Sequence, residues 1–261
     1  MHIVAVANQK GGVGKTTTSV NLAASLESLG KKTLLIDLDP QGNATMGSGV
    51  DKHAATINSY HWLVESARFD EVRRDSSAEY SIIPSNTDLT AAEMDLLRSE
   101  RRNFRLKEKL EAINSFEYII IDCPPSLNVL TLNALFTSGS VLIPVQCEYY
   151  ALEGLSALLE TVDGVRNNGN SDLGLEGILR TMFDTRISLT REVSRQLIQH
   201  FRDKVYRTVI PRNVRLAEAP SHGIPAMLYD RTSRGAVAYQ ALAAEMLRNH
   251  METPEEEMVC E

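Results

Sequence analysis

Short apolar runs punctuate the chain: Ile3-Val4-Ala5-Val6, Thr33-Leu34-Leu35-Ile36, Tyr118-Ile119-Ile120-Ile121, Ser140-Val141-Leu142-Ile143 and Leu175-Glu176-Gly177-Ile178-Leu179. They are near-continuous rather than alternating, which suits parallel strands covered on both faces. Each gives way to a loop and then a helical pattern. The clearest of these, Thr16 to Leu29, gathers Leu22, Ala23, Leu26 and Leu29 on one face, with Gly30 placed to stop it. The alternation predicts an α/β fold, a mostly parallel twisted sheet flanked by helices on both faces. In such sheets ligands bind beyond the carboxyl ends of the strands.

Between Gly47 and Asn114 the pattern weakens. Helices are expected near Ile57 to Ala67, Asp88 to Glu100 and Phe104 to Ile113, with a short strand at Tyr80 to Ile83. A further strand is expected at Met182 to Thr185, and a helix over Ser233 to His250 with Val237, Leu242 and Leu247 available for packing. Residues 1–250 read as a single domain with this region as an elaboration. Residues 251–261 read as an acidic tail expected to be disordered.

A chain of 261 residues with 43% hydrophobic content can bury a substantial core as one α/β domain. Its three cysteines, Cys123, Cys147 and Cys260, are far apart and form no C-x-x-C pair. They indicate neither a disulfide framework nor a zinc or iron–sulfur site, and a reducing cytoplasm fits them best. No secretory segment opens the chain and no apolar run approaches the roughly 18 residues of a membrane span, so a soluble protein is expected. The net charge of −7 taken alone argues against a nucleic-acid partner. Its distribution argues otherwise: Arg180 to Arg215 holds nine basic and three acidic residues, while Glu252 to Glu261 holds five glutamates and no basic residue.

The first apolar run leads straight into Gln9-Lys10-Gly11-Gly12-Val13-Gly14-Lys15-Thr16-Thr17. A strand, a glycine-rich turn and a helix place backbone N–H groups and a helix N-terminus around a polyphosphate, with Lys15 on the β/γ oxygens and the Thr16 hydroxyl on Mg²⁺. The general pattern asks for glycine where Gln9 stands, and Lys10 adds a second cation that can point outward, toward phosphates held by a facing subunit. After the second run comes Asp37-Leu38-Asp39-Pro40-Gln41-Gly42-Asn43. Asp37, closer to the sheet, is expected to orient the phosphate loop or metal-bound water. Asp39, on the loop, can position or deprotonate the water that attacks a γ-phosphate; its bland alternative is to cap a turn. Asp122, ending the Tyr118 run, is placed to hold Mg²⁺ beside Thr16. Cys123 reads as a small packed residue rather than a redox group.

Lys10-Gly11-Gly12-Val13-Gly14-Lys15-Thr16 resembles the deviant Walker A motif of the ParA/MinD family of dimerising ATPases, and the resemblance runs from about His2 to Asn249. It implies a P-loop NTPase fold, ATP and Mg²⁺ as cofactors, hydrolysis that is slow unless stimulated, and an ATP sandwich dimer in which Lys10 crosses the interface. On it, Lys10, Lys15 and Asp39 take catalytic roles, residues Lys10 to Thr17 with Asp122 bind nucleotide, and Thr16, Asp39 and Asp122 attend the metal. Pro211-Arg212-Asn213-Val214-Arg215-Leu216-Ala217-Glu218-Ala219-Pro220-Ser221 is similar to the segment that cups adenine in the Soj-like branch, which puts base contacts on Pro211 and Asn213. Asn213 also reads as a helix N-cap.

Binding duplex DNA without reading sequence needs cations along phosphates. Arg186 and Arg215 are 29 residues apart but are expected at adjacent strand ends, and in Soj-like proteins the arginines at these places contribute to nonspecific DNA binding. The bland alternative for them, and for Arg191, Arg195 and Arg202, is a surface ion pair. The resemblance further implies a ParB-type centromere-binding partner and a cytoplasmic, nucleoid-associated location. A MinD-like membrane regulator would need a basic amphipathic tail, whereas Met251 to Glu257 is acidic and broken by Pro254. A cluster carrier like nitrogenase iron protein would need paired cysteines. A protein cargo in place of DNA cargo stays open. With the nucleotide strand starting at His2, a preceding helix-turn-helix and operator binding are not expected.

Overall fold

The computed structural model describes residues 1–64 and 67–252. Eight strands form one sheet among the described residues: β1 (His2–Val6), β2 (Thr33–Asp37), β3 (Arg74–Asp75), β4 (Ser81–Ile83), β5 (Tyr118–Asp122), β6 (Ser140–Gln146), β7 (Gly174–Phe183) and β8 (Val205–Pro211). Their order is β3-β4-β2-β5-β1-β6-β7-β8. Every pairing is parallel except that of the two-residue edge strand β3 with β4.

The continuous apolar runs are explained by burial on both faces. All of β2 and β5 is buried, and successive residues feed two different cores, as the two-residue period of a strand requires. Ile119 and Ile121 join Leu34, Ile36, Val141 and Ile143 under the helices Val129–Thr137 and Ala151–Asn167. Tyr118 and Ile120 join Val4, Val6, Leu35 and Leu142 under the first helix, Lys15–Ser28, and the C-terminal helix, Arg234–Glu252. The α/β expectation holds.

The chain differs from expectation where packing overrides pattern. The helix expected near 57–67 is only Ser59–Leu63, started by the Asn58 side chain accepting from the Tyr60 N–H. The separate strand expected at Met182 does not exist: β7 runs unbroken to Phe183, and Asp184 and Thr185 lie beyond its end. Arg180 and Thr181 interrupt the apolar run there, yet both are buried, the Arg180 NH1 and NH2 groups and the Thr181 hydroxyl finding partners inside. Leu242 lies in the core, but Val237 is half exposed and faces away from it. Thr253 to Glu261, most of the acidic tail, lies outside the described residues.

Candidate active site

Strand register assembles the site. Asp37 and Asp122 are Cα partners at the carboxyl ends of β2 and β5, and Val6 of β1 pairs with Asp122 from the other side. The loop that follows Val6 therefore rises directly beside both carboxylates.

That loop is shaped by glycine. Gly12 and Gly14 have φ of 73° and 89°, the left-handed region, and a side chain at Gly11 or Gly12 would meet nothing within 4 Å, so the concave side is open. Gly14 caps the first helix without any side-chain hydrogen bond, leaving the helix's first N–H groups for an anion. The far wall is fixed by Thr181, whose hydroxyl donates to the Val13 carbonyl at 2.7 Å. Lys15 is buried and donates from Nζ to the Lys10 carbonyl at 3.0 Å. Burial lowers its pKa, opposed by the charge of Asp122.

Asp122 is fully buried. It accepts from Thr16 Oγ1 at 2.8 Å and from Ser19 Oγ at 2.7 Å. Burial, reinforced by the negative charge of Asp37, pushes its carboxyl up to about 8 even though both hydroxyls pull it down. A carboxylate so disfavoured by its own surroundings suits a nearby cation. The oxygen-only set of Thr16 and Asp122, with Asp39 close enough to perturb Asp122, matches Mg²⁺ rather than a softer metal.

Asp37 directs its hydrogen bonds away from the phosphate loop. Its oxygens accept from the Asp39 N–H at 3.0 Å, the Thr45 N–H at 2.8 Å and the Thr45 hydroxyl at 2.7 Å. It therefore anchors the Asp39 loop to the helix Asn43–Gly47 rather than orienting the phosphate loop. Burial raises it to about 6. Ser85 closes the same loop by donating to the Asp39 carbonyl at 2.8 Å. A side chain at Gly42, where φ is 61°, would come within 2.5 Å of the Ser85 carbonyl oxygen, so only glycine allows this turn. Asp39 Oδ1 accepts from the Gln41 N–H at 2.9 Å, fulfilling the turn-capping reading, and Oδ2 has no partner among the described residues.

Beside the loop lies a cavity of about 330 Å³ lined by Gly14, Thr17, Met182, Pro211, Asn213 and Leu216 among others. Asn213 starts the helix Val214–Glu218 but makes no capping hydrogen bond, and its buried Oδ1 has no acceptor role filled. An unused amide oxygen in an apolar slot suits an exocyclic amino group of a planar base. Cys123 is buried and its thiol pKa is raised by that burial, as expected of a packed residue.

Lys10 stands apart. Its Nζ pairs with Glu148 Oε2 at 2.7 Å, and both side chains are about half exposed. Sequence reasoning missed Glu148, although it follows β6 at the functional end of the sheet. It also missed Ser19, which lies one turn from Thr16 on the same helical face. Arg186 and Arg215 do follow the paired ends of β7 and β8. Each is engaged with carboxylates, Arg186 with Asp184 at 2.7 Å, Arg215 with Glu218 at 2.8 Å and Asp230 at 3.4 Å. Arg195 pairs with Glu192. Arg180, counted in the basic stretch, is buried.

A glycine loop of this kind, between the central strand of a parallel sheet and its first helix, is the phosphate cradle of P-loop nucleoside triphosphatases. A family model described as an AAA domain matches residues 1–175. The chain is 54% identical over 249 residues to the sporulation initiation inhibitor protein Soj of Bacillus subtilis, covering 95% of this chain and 98% of that one. It is 48% identical over 249 residues to the chromosome partitioning protein ParA of Myxococcus xanthus, covering 95% and 88%. Among solved structures, cobyrinic acid a,c-diamide synthase of Mycobacterium smegmatis with a bound ATP analogue and magnesium superposes with a TM-score of 0.86, at 34% identity and 97% coverage of both chains. The chain belongs to the ParA/Soj family of chromosome-partitioning ATPases.

Proposed function

We propose that residues 1–250 form one ATPase domain that acts as the switch of a DNA-partitioning system. ATP joins two copies, the dimer holds DNA without regard to sequence, and a ParB-type partner stimulates hydrolysis and release at the nucleoid in the cytoplasm. The observation that carries this reading is the placement of Lys10: a second cation beside the phosphate cradle, held only by a solvent-exposed ion pair, which contributes little and exchanges readily.

In this scheme the N–H groups of residues Gly11 to Thr17 and Lys15 bind the phosphates, Thr16 and Asp122 hold Mg²⁺, and Pro211 and Asn213 receive the base. The metal, when bound, neutralises charge on the phosphates. Asp39 uses its free Oδ2 to orient the attacking water and take its proton, while the Asp37–Thr45–Ser85 network keeps Asp39 in place. Lys10 leaves Glu148 and reaches the phosphates of the facing copy.

Arg186 and Arg215 give each copy two phosphate contacts, and a dimer four. The slope of log K against log salt is then about −3.6 with ATP and about −1.8 without. Arg186→Glu with Arg215→Glu should leave ATP binding intact and abolish DNA retention in a co-sedimentation assay. Undiminished retention by the double variant would remove this surface from the account.

A further inference from the structure

The largest cavity among those described lies at the other end of the sheet, where β7 and β8 begin. Its volume is about 770 Å³, within the range of pockets that take ligands. Its walls are the start of β7 at Leu175 and Glu176, the turn from Arg202 to Lys204, and Glu245 to His250 of the C-terminal helix. No residue of the phosphate site touches it.

Its lining residues leave its charge unbalanced toward the basic side. Arg202, Lys204, Arg207 and Arg248 all line it, all are exposed, and none forms an ion pair among the described residues. Two of its three carboxylates are already saturated. Glu245 accepts the Arg207 and Thr208 N–H groups, and Glu176 accepts from Ser140, Tyr206 and His250. Arg180 forms the floor. Its NH1 and NH2 groups are bonded to Ser194 and to the carbonyls of Tyr206 and Arg207, but its buried Nε has no acceptor. Arg202, which lines the cavity, holds a φ of 44°, a positive value that arginine adopts at a cost. Four unpaired cations above an unsatisfied buried donor call for a ligand rich in carboxylate or phosphate oxygens.

We propose that this cavity is the docking site of the chain's own acidic C-terminal segment, Thr253 to Glu261. The cavity wall includes Arg248, Asn249 and His250 of the C-terminal helix, whose last described residue is Glu252, about one turn later. The segment is thus attached close to the cavity's edge. Its nine residues span up to about 30 Å when extended, ample to fold back over the opening. It carries Glu255, Glu256, Glu257 and Glu261 and no basic residue. Tethering raises the local concentration of the segment, so modest pairwise attraction suffices.

Cys260 lies in this segment, while Cys123 and Cys147 are buried, so a fluorophore can be attached at Cys260 in the full chain. The label should show restricted motion by anisotropy at low salt. It should be released at about 1 M salt, where the screening length falls to about 3 Å. Arg207→Glu with Arg248→Glu should release it at low salt, and so should Glu255→Gln with Glu256→Gln and Glu257→Gln, which leaves the folded body untouched. Adding Lys at those three glutamate positions to the Arg-to-Glu variant should restore restriction. A freely tumbling label in the unaltered chain, or a restricted one indifferent to both sets of substitutions, overturns the proposal. A label indifferent to Arg207→Glu and Arg248→Glu while DNA retention is lost assigns the cavity to DNA and equally overturns it.

Discussion

At the scale of single residues, two side chains carry opposite kinds of information. Asn213 presents a buried amide oxygen with nothing to accept, so a ligand that donates to it recovers a hydrogen bond of about 1 kcal/mol. Asn213→Ala should weaken ATP binding by roughly tenfold or less, as read by calorimetry, and affect GTP binding less. Equal losses for the two nucleotides would take the base contact away from Asn213. Glu148, by contrast, is fully engaged, but by an exposed pair whose worth is about 0.2–1 kcal/mol. Removing it frees Lys10 at little cost. Glu148→Ala should lower the ATP concentration needed for dimerisation by up to about fivefold; a higher requirement would mean that Glu148 serves the dimer rather than restraining Lys10.

At the scale of elements, the sequence made most of the central sheet visible and little of its edges. β1, β2, β5 and β6 are buried on both faces and so appear as plain apolar runs. β8 and the middle of β7 mix polar and apolar residues, because the Arg180 NH1 and NH2 groups and the Thr181 hydroxyl bond to partners distant in sequence, and no local pattern shows that. The same divide runs through the site. Lys15, Thr16, Asp39 and Asp122 are legible because strand–loop–helix chemistry fixes their types. The Asp37–Thr45–Ser85 network and the Lys10–Glu148 pair join residues 8 to 138 positions apart, a matter of register and not of motif.

The buried ends of β2 and β5 also give a pH signature. Asp122 is raised from 3.8 to about 8 and Asp37 from 3.8 to about 6, chiefly by burial. A carboxyl raised in the fold contributes stability that is full below its unfolded value and lost as pH climbs through the folded one. Unliganded protein should therefore lose stability between about pH 4 and about pH 8 on this account. Asp122→Asn should flatten the upper part of that decline, above about pH 6, where Asp37 has already titrated. Melting temperatures taken across this range without nucleotide make the comparison, and parallel profiles for the two proteins would contradict it.

At the scale of the whole molecule, the sheet separates two charged regions. Its carboxyl end holds the phosphate cradle, Lys10 and the arginines after β7 and β8; its amino end holds the basic cavity beside the exit of the acidic segment. No helix among the described residues is long and apolar enough to cross a membrane, and no cluster of three or more metal-binding side chains is present among them. The proposed switch depends on the step that makes one copy into two. Its most direct test compares Asp39→Ala, which should trap ATP unhydrolysed, with Asp39→Ala carrying Lys10→Ala, by size-exclusion chromatography with ATP, with ADP and without nucleotide. Asp39→Ala should run as a dimer with ATP alone, and the double variant should bind ATP yet remain a monomer. An ATP-dependent dimer that survives the loss of Lys10 would contradict the link between the second lysine and assembly.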